Sequence, residues 1–391
     1  MVNIPFTIGN VFDKNISTPV VVSNLLTQGK FSAIWSCQKK WDTYSLKICF
    51  EESYEVELDV IESIDYKCAY GRRIVQMFYY GSSNCIEQNF FVYEMYYRNL
   101  SDYIGTKEFR RLGAIEGLYA LLEYLGALEY LHNQGFVYRN VKPSSLCIGS
   151  KDGTIFGKRL YLWELESCYR INYSSLKDQE YIKKMKIIYE NRKQKSFNCI
   201  KYCSISEHTN LEPKTINDIE SWYYIGIKLF EGSLPWSSIA SGEEKLIIDE
   251  KNNLSNVFSN FYCCTPIFFT SIIKLIKQND EKTFSYVEVY KILKKNMIQI
   301  DQNSLNVYSA EEKLFYNTVL FKRVEKLIAT TTTHKTGLHF SKSGSRSNST
   351  SNDTLSLKDK KTDGSTKCNG KDKSFVHNLK EFFKRKSNRG K

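Results

Sequence analysis

The chain's 391 residues, 42% hydrophobic and 14% aromatic, suffice for two or three domains or one large bilobal fold with tails, and fit neither a collagenous nor a wholly disordered chain. No run reaches the roughly 18 uninterrupted apolar residues of a membrane helix, and the start lacks the basic-then-apolar pattern of a secretory signal, so no transmembrane segment is expected. The net charge of +12 is concentrated at one end: residues 329–391 hold 15 Lys/Arg against 5 Asp/Glu, so contact with acidic surfaces is an expectation for the tail alone.

Along the chain, an N-terminal extension (1–19) precedes a stretch, 20–50, in which β-branched and aromatic residues alternate with polar ones around Gly29, predicting strand, turn, strand, strand. Residues 54–64, with apolar Leu58, Ile61 and Ile64 and acidic Glu55, Glu57 and Glu62, suit a short amphipathic helix. Strands are predicted at 74–80 and 89–95, closing a small β-rich lobe over 20–95. From 96 to 300 helices dominate: a Leu-rich one at 114–131, then 218–231, 266–277 and 286–296. A helical extension (301–328, with its helix at 310–328) leads into a Thr/Ser/Lys/Gly-rich tail, 329–391, too polar to bury a core and expected to be disordered. Near its end, Phe375, Val376, Leu379, Phe382 and Phe383 recur at helical spacing among basic residues, predicting a short amphipathic helix suited to a membrane surface or a partner.

The 11 cysteines include no CxxC pair and no Cys/His cluster with zinc spacing. They are expected to be reduced structural thiols in an intracellular protein, cytoplasmic or nuclear, without zinc. The close pairs Cys199/Cys203 and Cys263/Cys264 are read as small buried hydrophobes.

The most informative string is FVYRNVKPSSLCIG, residues 136–149. It resembles the catalytic loop of protein kinases, in the Tyr-Arg-Asp-Val-Lys-Pro form of the casein kinase 1 group. Three more stretches fall in the order such a kinase requires: TQGKFSAIW followed by SLKIC, then SFNCIKYCSIS, then NDIESWYYIGIKLFEGSLPW. The last two resemble the activation-segment end and the following helix of casein kinase 1 and tau-tubulin kinases, with Ser204, Ile205 and Ser206 in place of Ala-Pro-Glu. The resemblance covers residues 20–300. It implies an α+β, bilobal protein-kinase-like fold with a small β-rich N-lobe and a larger helical C-lobe, ATP as the nucleotide, and a protein partner or substrate.

It also implies roles. Lys47 matches the strand lysine that contacts the α and β phosphates, with Glu57 as its helix partner and Glu55 as the alternative. Gly29 is the one glycine kept from the nucleotide-covering turn. Residues 92–96 align with gatekeeper and hinge, which puts Glu94 and Met95 beside the nucleotide and a bulky Tyr93 behind it. Lys142 matches the loop lysine that contacts the transferred phosphate. Asp218 matches the aspartate that braces the loop backbone. Arg139 either bonds nearby carbonyls or pairs with a modified activation segment.

The departures concern the chemistry itself. Phosphoryl transfer depends on positioning and charge neutralisation, and Asn140 stands where the proton-accepting carboxylate belongs; an amide can hold a hydroxyl but is no useful base. Ser145 replaces the metal-binding Asn, and Glu164-Leu165-Glu166 replaces Asp-Phe-Gly, with Glu164 as the expected carboxylate and Glu166 as the alternative register. A magnesium site is therefore expected to be weak or absent. The long basic stretch between Arg170 and Gln194 reads as a solvated face or as a site for acidic substrates or phosphate. These readings lead to a casein kinase 1-like pseudokinase, a binding or scaffolding protein with ATP binding left open and little or no phosphoryl transfer. The alternatives are a divergent active Ser/Thr kinase and a protein whose functional part is the tail.

Overall fold

The computed structural model describes residues 21–28, 32–39, 41–49, 51–83, 88–150, 155–156, 158–193, 199–209, 212–240, 242–254, 263–304 and 320–336. Gly29, residues 310–319 of the expected last helix, and the amphipathic stretch 375–386 lie outside the described residues.

Alternation over the first fifty residues yields β1 (Val21–Gln28), β2 (Ser32–Lys39) and β3 (Asp42–Cys49). With β4 (Met77–Ser83) and β5 (Gln88–Tyr93) they form an antiparallel sheet in the order β1-β2-β3-β5-β4. Lys47 thus lies on the central strand, registered with Ile34 on β2 and Phe91 on β5. The helix after β3, α1 (Glu51–Glu62), buries Val56, Val60 and Ile61. On the same helix Glu57 and Asp59 are buried, so both need partners.

The strand expected from Ile74 begins later, at Met77. Ile74 instead makes a parallel bridge to Leu162, with the Val75 N–H donating to the Leu162 carbonyl at 3.0 Å. The link between α1 and β4 is therefore stitched to the second lobe.

That lobe opens with β6 (Arg98–Asn99) and α2 (Leu100–Gly105), then the pillar helix α3 (Ala114–Asn133). A helix apolar on nearly all sides belongs inside a lobe, and α3 is buried from Ile115 to Leu131. Its buried acids each have partners: Glu116 with Lys107 and Tyr103, Glu123 with Arg73, Glu129 with Tyr290. The strands β7 (Phe136–Val137), β8 (Leu146–Ile148), β9 (Leu160–Leu162) and β10 (Tyr169–Arg170) frame the motif-bearing loops, with β6-β8-β9 and β7-β10 as small sheets.

Next come α4 (Gln179–Arg192), α5 (Ile205–His208), α6 (Thr215–Glu231), α7 (Glu244–Asn253), α8 (Phe269–Gln278) and α9 (Tyr286–Ser304). The indole N–H of Trp222 on α6 donates to the Leu121 carbonyl at 3.0 Å and ties α6 to α3. The final helix, α10 (Phe321–Thr336), runs eight residues past the expected boundary at 328, because Leu320, Val324, Leu327 and Thr331 keep burying at helical spacing into the Thr-rich stretch.

The basic stretch after Arg170 forms α4, which exposes Lys183, Lys184 and Lys186, as a solvated face requires, and buries Met185, Tyr189 and Arg192 on its other side. One expectation is corrected. The cysteine reading holds for Cys203 but not for Cys199, Cys263 and Cys264, which are exposed.

Candidate functional site

Three elements converge on Lys47. Its ammonium donates to Glu57 Oε1 at 2.8 Å, to Glu57 Oε2 at 2.7 Å and to Glu166 Oε2 at 2.7 Å, which uses all three of its hydrogens. Lys47 and Glu57 have no exposed surface and Glu166 is 5% exposed. Tyr93 donates its hydroxyl to Glu57 at 2.5 Å and Ser32 donates to Glu166 Oε1 at 3.1 Å. Of the two registers left open in the sequence, Glu57 is the lysine's helix partner, while Glu55 pairs with Lys184 on α4 at 2.8 Å.

Burial opposes charge on every member of this trio, and mutual attraction answers it unequally. Burial alone would lower Lys47, but Glu166 and Glu57 outweigh it and hold the ammonium above its ordinary value. Burial pushes Glu57 up to about 7, since the pull of Lys47 is partly cancelled by the neighbouring Glu166. For Glu166, burial is outweighed by Lys47, which holds it below the usual carboxylate range. Glu166 is the more firmly ionised acid.

Behind the trio the cleft wall is aromatic. The Trp163 ring lies 5.0 Å from Tyr93, 5.7 Å from Tyr96 and 6.4 Å from Tyr161, centroid to centroid. At the stretch matched to the hinge, the Tyr96 N–H donates to Ser45 Oγ at 2.7 Å, and Ser45 in turn donates to Met95 Sδ at 3.8 Å. Glu94 accepts the Gln76 N–H at 2.8 Å and pairs with Arg159.

The loop carrying Asn140 is held by α6. Asp218 Oδ2 accepts the Tyr138 N–H at 2.6 Å and Oδ1 accepts the Arg139 N–H at 2.8 Å, with His132 on Oδ2 at 2.8 Å. Arg139 bonds carbonyls, donating to those of Arg192 at 3.1 Å and Lys193 at 2.8 Å. Burial lowers this guanidinium to about 10. Arg139 and Glu164 adopt left-handed backbone, φ 64° and 59°, each at a cost of about 1–3 kcal/mol for a non-glycine residue.

Glu164 gathers the loop's polar groups. Its Oε2 accepts from Asn140 Nδ2 at 2.5 Å and from Lys142 Nζ at 2.7 Å, with Ser145 Oγ 3.3 Å away. The four expected loop residues therefore meet at one oxygen. Lys142 and Glu164 are about a quarter exposed, so this pair is solvated where the Lys47 trio is not. Asn140 Oδ1 is buried without a hydrogen-bond partner.

One structural hub beside the site gave no clear sequence signal. Asp59 on α1 accepts Arg170 Nε at 2.8 Å and Nη2 at 2.9 Å, with the hydroxyls of Tyr189 at 2.7 Å and Tyr181 at 3.0 Å. One buried carboxylate so pins both β10 and α4 to α1. Nearby, Arg192 donates to the Glu166 carbonyl at 2.5 Å, which joins the end of α4 to the trio's backbone. In sequence Asp59 is simply one more acid on an amphipathic helix.

No family model matches the chain. Among curated proteins it is similar to Serine/threonine-protein kinase spe-6 of Caenorhabditis elegans, 29% identical over 180 residues (44% of this chain, 43% of that protein). It is also similar to Casein kinase 1-like protein HD16 of Oryza sativa subsp. japonica, 26% identical over 155 residues (40% of this chain, 21% of that protein). The matched region thus spans less than half of either curated relative. Among solved structures it is similar to vaccinia related kinase 3, with a TM-score of 0.58 at 15% identity, over 75% of this chain and 92% of that one. The fold is protein-kinase-like, and the sequence relatives carry kinase names. No helix among the described residues is long and apolar enough to cross a membrane, and no described group of three or more His, Cys, Asp or Glu side chains has the geometry to hold a metal ion.

Proposed function

We propose that this protein-kinase-like chain is a pseudokinase, a binding or scaffolding protein whose cleft is closed by its own side chains. One observation carries the reading: the lysine matched to phosphate binding has every ammonium hydrogen committed to Glu57 and Glu166, and Glu166 stands at the position matched to the glycine of Asp-Phe-Gly. With both acids ionised the trio carries one net negative charge, which repels a polyphosphate instead of neutralising it.

On this reading ATP fits the cleft poorly. The hinge N–H of Tyr96 is already taken by Ser45, Trp163 and Tyr93 fill the wall behind it, and Lys47 would have to exchange a buried carboxylate for phosphate. Magnesium fits poorly as well. It favours several oxygen ligands in octahedral array, while Glu164 already holds the Lys142 ammonium and the Ser145 hydroxyl is turned to the Asn140 carbonyl at 2.8 Å. The test is phosphate transfer by purified full-length protein to casein or to itself. The expected result is no metal-dependent incorporation, and none restored by Asn140→Asp.

A second reading, a divergent Ser/Thr protein kinase, is favoured by one specific contact. The Glu164 carboxylate lies 2.5 Å from Asn140 Nδ2, close enough to serve an incoming hydroxyl in place of the missing aspartate. Incorporation abolished by both Lys47→Met and Glu164→Gln would establish that reading.

A further inference from the structure

Helix α10 lies outside the span of the kinase resemblance, yet it bonds to both lobes. Arg323 pairs with Glu123 of α3, Nε to Oε1 at 2.6 Å and Nη2 to Oε2 at 2.7 Å. The same buried carboxylate pairs with Arg73 at 3.2 Å, and Arg73 belongs to the link between α1 and β4. Space for that guanidinium exists because residue 126 is glycine: a Cβ there would lie 3.1 Å from Arg73 Cζ. One residue cluster away, the Tyr70 hydroxyl of the same link bonds Thr330 Oγ1 of α10. Leu320, Val324 and Leu327 are buried, and Glu325 pairs with Lys294 of α9 at 2.9 Å.

The link so held leads directly into the cleft wall. Ile74 and Val75 pair with Leu162, the last residue of β9, two positions before Glu164 and four before Glu166. Arg159, at the other end of β9, donates to the carbonyls of Arg72 and Ile74, both at 2.7 Å. A continuous set of hydrogen bonds therefore runs from α10 through the α1–β4 link to the strand that presents both acids.

We infer that α10 is an intramolecular strap that fixes the α1–β4 link against the second lobe, and that its release is the device by which the strand carrying Glu164 and Glu166 is loosened. The inference rests on the pseudokinase reading only for what loosening means at the cleft. The energetics follow from burial. Glu123 has two cationic partners, and Arg73 Nη1 already lacks an acceptor, so losing Arg323 leaves Glu123 with a single imperfect ion pair, the one to Arg73 of the link.

Hydrogen–deuterium exchange on the full chain tests this, comparing the wild type with Arg323→Ala and Leu327→Asp. The strap predicts that Leu327→Asp speeds exchange about tenfold in peptides over 66–76 and 159–166, and Arg323→Ala by a smaller factor in the same peptides, while peptides over 219–230 of α6 keep their rates. Fast exchange over 321–336 with unchanged rates over 66–76 would overturn it. If Leu327→Asp also loosens α6, the variant has unfolded, and Arg323→Ala alone decides: wild-type rates over 66–76 then overturn the strap. Metal-dependent phosphate transfer by the wild type would defeat the pseudokinase reading and leave these rates untouched.

Discussion

The two halves of the candidate site differ in their access to water more than in the residues they retain. The Lys47 wall keeps the lysine and glutamate that the kinase resemblance requires, yet both are buried and committed, together with Glu166. The loop around Asn140 has lost its carboxylate, yet Lys142 and Glu164 stay partly solvated. The retained Lys47 and Glu57 are thus sealed together with the substituted Glu166, whereas in the loop the buried Asn140 and Ser145 lie beside a Lys142–Glu164 pair that water reaches. Matching a motif letter by letter measures identity at a position; what the position can do depends on whether its charge is already neutralised from within.

That contrast can be broken most forcefully at Lys47. Lys47→Met leaves Glu57 and Glu166 buried without their cation, a loss of about 3–5 kcal/mol at neutral pH. Urea denaturation should show the midpoint falling sharply and recovering partly in acid, where the two acids are protonated. An unchanged midpoint would mean that the trio is solvated, contrary to its burial.

A smaller effect lies in pH dependence. A carboxylate raised from 4.5 to about 7 binds its proton more tightly in the folded state than in the unfolded one, so its contribution to stability falls as pH rises from about 4.5 through 7. Glu166, held low, contributes the opposite slope, but only below the ordinary carboxylate value. Between pH 5 and 8 the difference between wild type and Glu57→Gln should therefore drift in the variant's favour, by about 1–3 kcal/mol. A flat difference would place Glu57 in water.

The open half should respond weakly. Lys142→Ala removes a partly solvated ion pair and is expected to change stability by about 0–1 kcal/mol in chemical denaturation, far less than Lys47→Met. Equal effects at the two lysines would erase the distinction between the regions. Asn140→Asp sharpens it: a second carboxylate beside Glu164 alters the local charge and leaves the Lys47 wall closed, so nucleotide binding should not appear in a thermal-shift titration.

The order of elements was legible because alternation and helical periodicity are local: β1 to β3, α3 and α6 fall within a few residues of their predicted spans. Lys47 with Glu57 as its first-choice partner, and Asn140 and Glu164 each by itself, were legible through the kinase resemblance, while the contact between Asn140 and Glu164 was not. What spacing could not reveal was competition among acids. Glu55, Glu57, Glu164 and Glu166 all lay within register of a role, and only packing assigns Glu57 and Glu166 to Lys47 and Glu164 to the loop, and sends Glu55 to Lys184. Asp59 stayed hidden for the same reason, since its partners come from residues more than one hundred positions away. The reach of α10 past 328 was masked by the Thr-rich composition of its last turns, which reads as tail until burial of Thr331 is known.

The most direct measurement is the thermal stability of the full-length wild-type protein titrated with ATP, with and without magnesium. A cleft sealed by Glu166 predicts the same melting temperature at every nucleotide concentration. A saturable rise, amounting to about 2.7 kcal/mol of stabilisation when ATP stands at 100 times its dissociation constant, would contradict that claim.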